Sequence, residues 1–122
     1  ALGLEDSVEV LGKVPDAALY DCMCSADLFL CLSEHEGFCM PILESICCGA
    51  PVLAYQAGGI ATTLGEAGLL TYKASSTIAD TICDYIKHPE KLTELHRAQF
   101  AHLQQFRREN LMDKLQKVLE QF

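Results

Sequence analysis

The chain has 122 residues, half of them hydrophobic, enough for one domain with a buried core and too apolar for a disordered segment. Its net charge is −8, from 17 acidic and 9 basic residues, so long-range attraction to nucleic acid is disfavoured. No apolar run approaches the ~20 residues of a membrane span, and no transmembrane segment is expected. The opening ALGLEDSVEV lacks the charged and apolar regions of a signal peptide and does not start with Met, so a fragment or processed chain is expected. Seven cysteines is an odd count, and Cys22, Cys31, Cys47, Cys48 and Cys83 sit inside apolar runs. They read as small buried hydrophobes in a reducing cytoplasm rather than as a disulfide framework.

In chain order, Ser7–Leu11 alternates polar and apolar and predicts a strand, Val8–Leu11, turned by Gly12. Pro15 and Asp16 open a helix over Ala17–Ala26, with Asp16 as N-cap and Leu19, Cys22, Met23 and Ala26 as its apolar stripe. Leu28–Leu32 is apolar at every position, the pattern of a parallel strand covered on both faces. A helix Pro41–Cys48 follows, with proline just inside its start and Gly49 just past its end. Val52–Tyr55 predicts a strand, Ala57–Ile60 a glycine-marked turn, Ala61–Gly65 a short helical piece and Leu69–Tyr72 a short strand. A helix capped by Ser75 or Ser76 runs to about Lys87 with Ile78, Ile82 and Ile86 on one face, and His88-Pro89 breaks it. Two amphipathic helices then carry Leu92, Leu95, Leu103 and Phe106, and Leu111, Leu115, Leu119 and Phe122, with a kink near Arg107–Asn110. These C-terminal stripes read as packing surfaces. Strands alternating with helices predict a doubly wound parallel sheet with right-handed crossovers, in a single domain.

The stretch Ser33–Gly49 combines a strand's C-terminal end, a loop and a helix N-terminus, the place where parallel sheets bind anionic ligands. It holds two carboxylates, Glu36 and Glu44, with seven residues between them. A folded-back loop would bring both to one pocket; Glu44 near the positive helix end is equally a structural placement of ~0.3–1 kcal/mol. Basic residues are scarce between Val14 and Tyr72, so phosphate donors would be backbone N–H groups. His35, Glu36 and Cys39 are close in sequence, but their spacing fits neither H-E-x-x-H nor C-x2-C, and no metal is expected. His88, His96 and His102 read as solvated or helix-surface residues. There is no D-x-D pair, P-loop or G-x-G-x-x-G, and Gly58-Gly59 reads first as a turn.

The pieces VEVLGKVPDAALYDCMCSADLFLCLSEHEGFCMPILESICCGAPVLAYQAGGI and GEAGLLTY, in that order, carry a resemblance. With E-G-F-x-x-P-x-x-E followed by G-x-P-V, the chain resembles the second half of the donor-binding C-terminal domain of retaining GT-B glycosyltransferases of family 4, glycosyl transferases group 1. The resemblance is close from Val8 to about Tyr72 and looser beyond. It implies a Rossmann-like three-layer α/β/α fold, a nucleotide-sugar donor as substrate rather than a cofactor, and hexose transfer with retention and no tightly held metal. It implies that Glu36 faces the sugar and leaving phosphate, and that Glu44 bonds the ribose hydroxyls. Gly37, Phe38, Cys39, Met40 and Leu43 would cradle the sugar and diphosphate through backbone N–H groups, and Gly12, Lys13 and Val14 would border the base.

Two departures from the family pattern stand out. Cys39 stands where glycine or another small residue is usual, and Ala61-Thr62 where Pro-Glu is frequent. The resemblance also implies an upstream half-domain with an Arg/Lys pair and an acceptor-binding N-terminal domain, both absent from these residues. In the strand order 3-2-1-4-5-6, Val8–Leu11 would be strand 3, without its neighbours. Leu28–Leu32 would then expose a sheet edge, and a homodimer through that edge is expected. The resemblance places the work in polysaccharide biosynthesis, in the cytoplasm or peripherally at a membrane in the full-length enzyme, with this chain inactive alone. The rivals are a nucleotide-sugar epimerase-like enzyme of the same architecture and a non-catalytic interaction module.

Overall fold

The computed structural model describes residues 2–121. The apolar run after Asp27 supplies the first of three parallel strands, β1 (Phe29–Cys31), followed by β2 (Val52–Tyr55) and β3 (Leu69–Leu70) in the spatial order β1-β2-β3. Register pairs Phe29 with Val52 and Cys31 with Ala54, then Ala54 with Leu69 and Tyr55 with Leu70. All three strands therefore end on the same side, at Cys31, Tyr55 and Leu70.

The helices are α1 (Asp16–Ser25), α2 (Met40–Cys48), α3 (Ile60–Leu64), α4 (Ser75–Lys87), α5 (Pro89–Leu103) and α6 (Arg108–Leu119), with a 3-10 turn at Gln104–Phe106. On one face of the sheet Val52 and Ala54 pack with Ile42 and Ile46 of α2 and Ile60 and Leu64 of α3. On the other, Leu53 and Leu70 pack with Ile78 of α4 and Leu95 of α5. Burial on both faces is why β2 has no polar position. This is the predicted Rossmann-like α/β architecture. Strand β2 falls at its expected bounds, α4 ends at Lys87 as expected, and Gly49 ends α2 in the left-handed conformation at φ 98°.

Several expectations are corrected. Val8–Leu11 is not a strand: it is irregular and open to solvent, with Val10 90% exposed. An alternating pattern makes a strand only when a ladder partner is present, and β1 does not supply one to this segment. Asp16 lies inside α1 behind Pro15, and α4 begins at Ser75 with Ala74 as N-cap, so neither expected side-chain cap forms. Of the α1 stripe only Met23 is buried, and Ile86 on α4 is exposed. Of the five cysteines read as buried, Cys31 is; Cys48 is half-buried, and Cys22, Cys47 and Cys83 are exposed, because α1, α2 and α4 each pack along one side only. The α6 row Leu111, Leu115 and Leu119 is exposed rather than packed, since α6 rests mainly on the 3-10 turn; Phe122 lies outside the described residues.

His96 and His102 are half-buried and bonded, not solvated. His96 Nε2 lies 2.9 Å from the Ile46 carbonyl at the end of α2, and His102 Nε2 lies 2.9 Å from the Thr62 carbonyl in α3. Between them Gln99, fully buried, accepts from Val52 N–H (2.9 Å) and donates to the Val52 and Ala67 carbonyls (2.7 and 3.0 Å). Helix α5 is thereby bonded to α2, β2 and α3 at successive turns.

Candidate functional site

The site begins where β1 ends. From Cys31 the chain runs through the loop 32–39 and enters α2 through Cys39, the helix N-cap, at φ 58° and ψ 70°. Among the described residues Cys39 is the only one other than glycine at positive φ. A left-handed L-residue costs roughly 1–2 kcal/mol, which explains why a glycine suits this position. The Cys39 thiol is buried, and its Sγ lies 3.8 Å from Cys31 Sγ. Burial first, and then the neighbouring Cys31 thiol, push Cys39 up to about 11, so it is protonated at neutral pH.

The loop is held from the β2–α3 side. Gly59 N–H donates to the Glu36 carbonyl at 2.7 Å, and the buried Thr63 hydroxyl donates to the Phe38 carbonyl. Gly58-Gly59 is more than a turn signal: a Cβ on Gly59 would stand 1.7 Å from the Gly37 carbonyl oxygen, so only glycine permits this approach. The Phe38 ring meets Phe106 edge-on at 5.2 Å and 88°. Glu36 is half-buried on this loop, while Gly37 is open to solvent.

Met40, Leu43 and Glu44 share the face of α2 turned toward α1. They form one wall of a cleft of about 590 Å³, whose other wall is Leu19, Tyr20 and Met23 of α1. Glu44 is exposed and starts the second turn of α2, past the first turn where the macrodipole acts most strongly. At the α1 wall Cys24, and after it Cys48, raise the pKa of the Tyr20 hydroxyl above its ordinary value. Met40, Leu43 and Glu44 line the cleft against α1, while Glu36–Cys39 form the loop that leads into α2 and are not among the residues lining it. Gly12, Lys13 and Val14 are not among the residues lining the cleft; they belong to the irregular segment before α1.

Two features escaped the sequence reading. Lys73, just beyond β3, sits 3.0 Å from Glu34 and 5.1 Å from the centre of the Tyr55 ring, which brings a cation to the mouth of the three strands. No local signal could find it, since Lys73 lies 39 positions after Glu34. Thr63 is the other, visible in sequence only as one of two threonines in a short helix. Of the trio His35, Glu36 and Cys39, from which no metal is expected, His35 is exposed; it is Cys31 that stands beside Glu36 and Cys39, with the ligating atoms of those three within 4.8 Å of one another.

A loop and helix N-terminus at the C-terminal end of a parallel strand is where such sheets hold polar, anionic ligands through backbone N–H groups. Residues 1–101 match the family described as glycosyl transferases group 1. The chain is 31% identical over 121 residues to N-acetyl-alpha-D-glucosaminyl L-malate synthase of Bacillus anthracis, covering 96% of this chain and 31% of that protein. It is 29% identical over 117 residues to D-inositol 3-phosphate glycosyltransferase of Gordonia bronchialis, covering 92% of this chain and 25% of that protein. Over 66 residues it is 38% identical to O-antigen chain mannosyltransferase B of Escherichia coli, covering 54% of this chain and 17% of that protein. The chain thus spans less than a third of the length of each of these relatives. With the parallel sheet, the loop-and-helix site and the match over residues 1–101 together, this chain belongs to the glycosyl transferases group 1 family.

Proposed function

We propose that the chain is the second half of a donor-binding domain, and that it holds the nucleotide-sugar donor of a retaining hexosyltransferase. The observation that carries this reading is the Glu36–Cys39 loop that follows β1 and leads into the N-terminus of α2, at the C-terminal end of a parallel sheet and braced by Gly59 and Thr63. Glu36 faces the sugar and the leaving phosphate. Glu44, in the α1–α2 cleft, bonds the ribose hydroxyls, and the backbone N–H groups of Phe38, Cys39, Met40 and Leu43 hold the diphosphate and sugar. Gly12–Val14 border the base from the segment that leads into α1. Alone the chain is inactive, because transfer needs an acceptor domain to close over the donor and exclude water. The acceptor domain and an upstream half-domain with further cations complete the enzyme, which works in the cytoplasm or at a membrane surface. Among the described residues no helix is long and apolar enough to cross a membrane. The open edge of β1 pairs with a second copy when the chain is alone.

The test is steady-state kinetics in a chain extended to the length of its relatives. Glu44→Ala raises the donor KM about 10-fold or more, the loss of a hydrogen bond to a charged group. Glu36→Gln lowers kcat by about 10²-fold and KM changes less, as expected for a group that acts on developing charge. Unchanged kinetics for either variant overturns its assignment.

The exposed apolar row of α6 favours a second reading, a non-catalytic interaction module. That reading requires the chain to bind no nucleoside diphosphate.

A further inference from the structure

We propose that Cys31, Glu36 and Cys39 form a binding site for a soft divalent transition metal of the zinc class, with two sulfurs and one carboxylate oxygen as ligands. The two sulfurs are 3.8 Å apart. Two thiolates on a tetrahedral zinc, each at about 2.3 Å from the metal, stand about 3.8 Å apart, so this pair is already at chelating distance. A disulfide would need the sulfurs at about 2.05 Å, well inside their separation here.

Both backbones are fixed. Cys31 is the last residue of β1, in register with Ala54, and Cys39 is locked as the α2 N-cap with its carbonyl accepting from Ile42 N–H at 3.1 Å. The left-handed backbone at Cys39 favours glycine, so the backbone does not demand the thiol; what the cysteine adds is a sulfur aimed at Cys31. Glu36 is half-buried and is the adjustable member, needing only a side-chain rotation to close on a metal, since all three ligating atoms lie within 4.8 Å.

Two sulfurs and one oxygen select zinc-class ions over magnesium and calcium, which take all-oxygen sets. Three protein ligands leave the fourth position open. Each thiol gives its proton to solvent as its metal–sulfur bond forms, and the dication offsets the two new negative charges. The net charge of the site is the same before and after, so no uncompensated charge is left beside the core. A metal-bound Glu36 carboxylate is withdrawn from any other ligand. This consequence rests on the donor-binding reading: the metal and the donor compete for Glu36.

The test is Co²⁺ titration of the 122-residue chain under a phosphine reductant, which keeps both thiols reduced. The expected result is one Co²⁺ per chain, with tetrahedral d–d bands and a sulfur-to-cobalt charge-transfer band that Zn²⁺ abolishes by displacement. Cys39→Gly suits the left-handed N-cap and so keeps the fold by circular dichroism; it weakens Co²⁺ binding about 100-fold or more, as does Cys31→Ser. Glu36→Gln weakens binding about 10-fold with the charge-transfer band retained, and Cys83→Ser changes nothing. Absence of a charge-transfer band at millimolar Co²⁺, or a wild-type spectrum in Cys39→Gly or Cys31→Ser, overturns the site. If Co²⁺ binds as described but a nucleoside diphosphate binds equally well with and without it, the metal site stands and the donor role of Glu36 fails.

Discussion

At the scale of single residues, Cys39 concentrates the conflict between local backbone preference and side-chain chemistry. Its left-handed backbone costs roughly 1–2 kcal/mol, while its buried thiol returns roughly 1 kcal/mol of transfer free energy. Cys39→Gly removes both terms and adds ~0.5–1 kcal/mol of chain entropy, so its unfolding free energy should stay within about 1 kcal/mol of the parent. Cys39→Val keeps the backbone cost and adds a β-branched side chain where one is least tolerated, and should lose about 2 kcal/mol or more. Urea midpoints of the two variants check the ordering; a valine variant as stable as the glycine variant contradicts the strain assignment. Gln99 works in the opposite sense, as a buried polar group with all its bonds made. Gln99→Met keeps the volume but orphans the Val52 N–H and two carbonyls, and should cost about 3 kcal/mol or more in urea unfolding.

At the scale of elements, the parts legible in sequence were those whose signal is local. The uniform apolarity of Leu28–Leu32 and Val52–Tyr55 marked β1 and β2, and proline-in, glycine-out punctuation marked α2. Glu36, Glu44 and their loop could be singled out because they lie on one short stretch. What sequence concealed depends on partners far along the chain. Val8–Leu11 has a strand's alternation without a strand's neighbour. Lys73, Thr63, His96, His102 and Gln99 acquire their meaning from residues 25 to 50 positions away. The α4–α5 junction illustrates such a contact: Lys91 Nζ meets Asp84 Oδ2 at 2.7 Å. The Lys91 hydrogen bond holds the Asp84 carboxyl below its ordinary 3.8. A depressed folded-state value means stability is present above 3.8 and lost as pH falls through and below it. The melting temperature should therefore drop on acidification below about pH 4 less steeply in Asp84→Asn than in the parent, and the difference should shrink in high salt. Identical acid limbs would remove the ion pair from the account.

At the scale of the whole molecule, a three-stranded sheet with β1 at one edge is an incomplete layer. Leu30 of β1 is exposed at that edge, and an unpaired edge is a template for another chain. Light scattering at high concentration should find a dimer, dispersed by placing a charge at the edge with Leu30→Lys; a monomer at all concentrations contradicts edge pairing. The same geometry sets the functional claim. If the Glu36 loop and the α1–α2 cleft serve one donor as proposed, a nucleoside diphosphate should bind the chain without the rest of an enzyme. Isothermal titration calorimetry with UDP, GDP and ADP, on the parent chain and on Glu44→Ala, tests this most directly. The account predicts a preference for one nucleotide, at millimolar affinity or better on the scale of ~4 kcal/mol, weakened by Glu44→Ala. No binding of any of the three, or equal binding by the parent and Glu44→Ala, would contradict it.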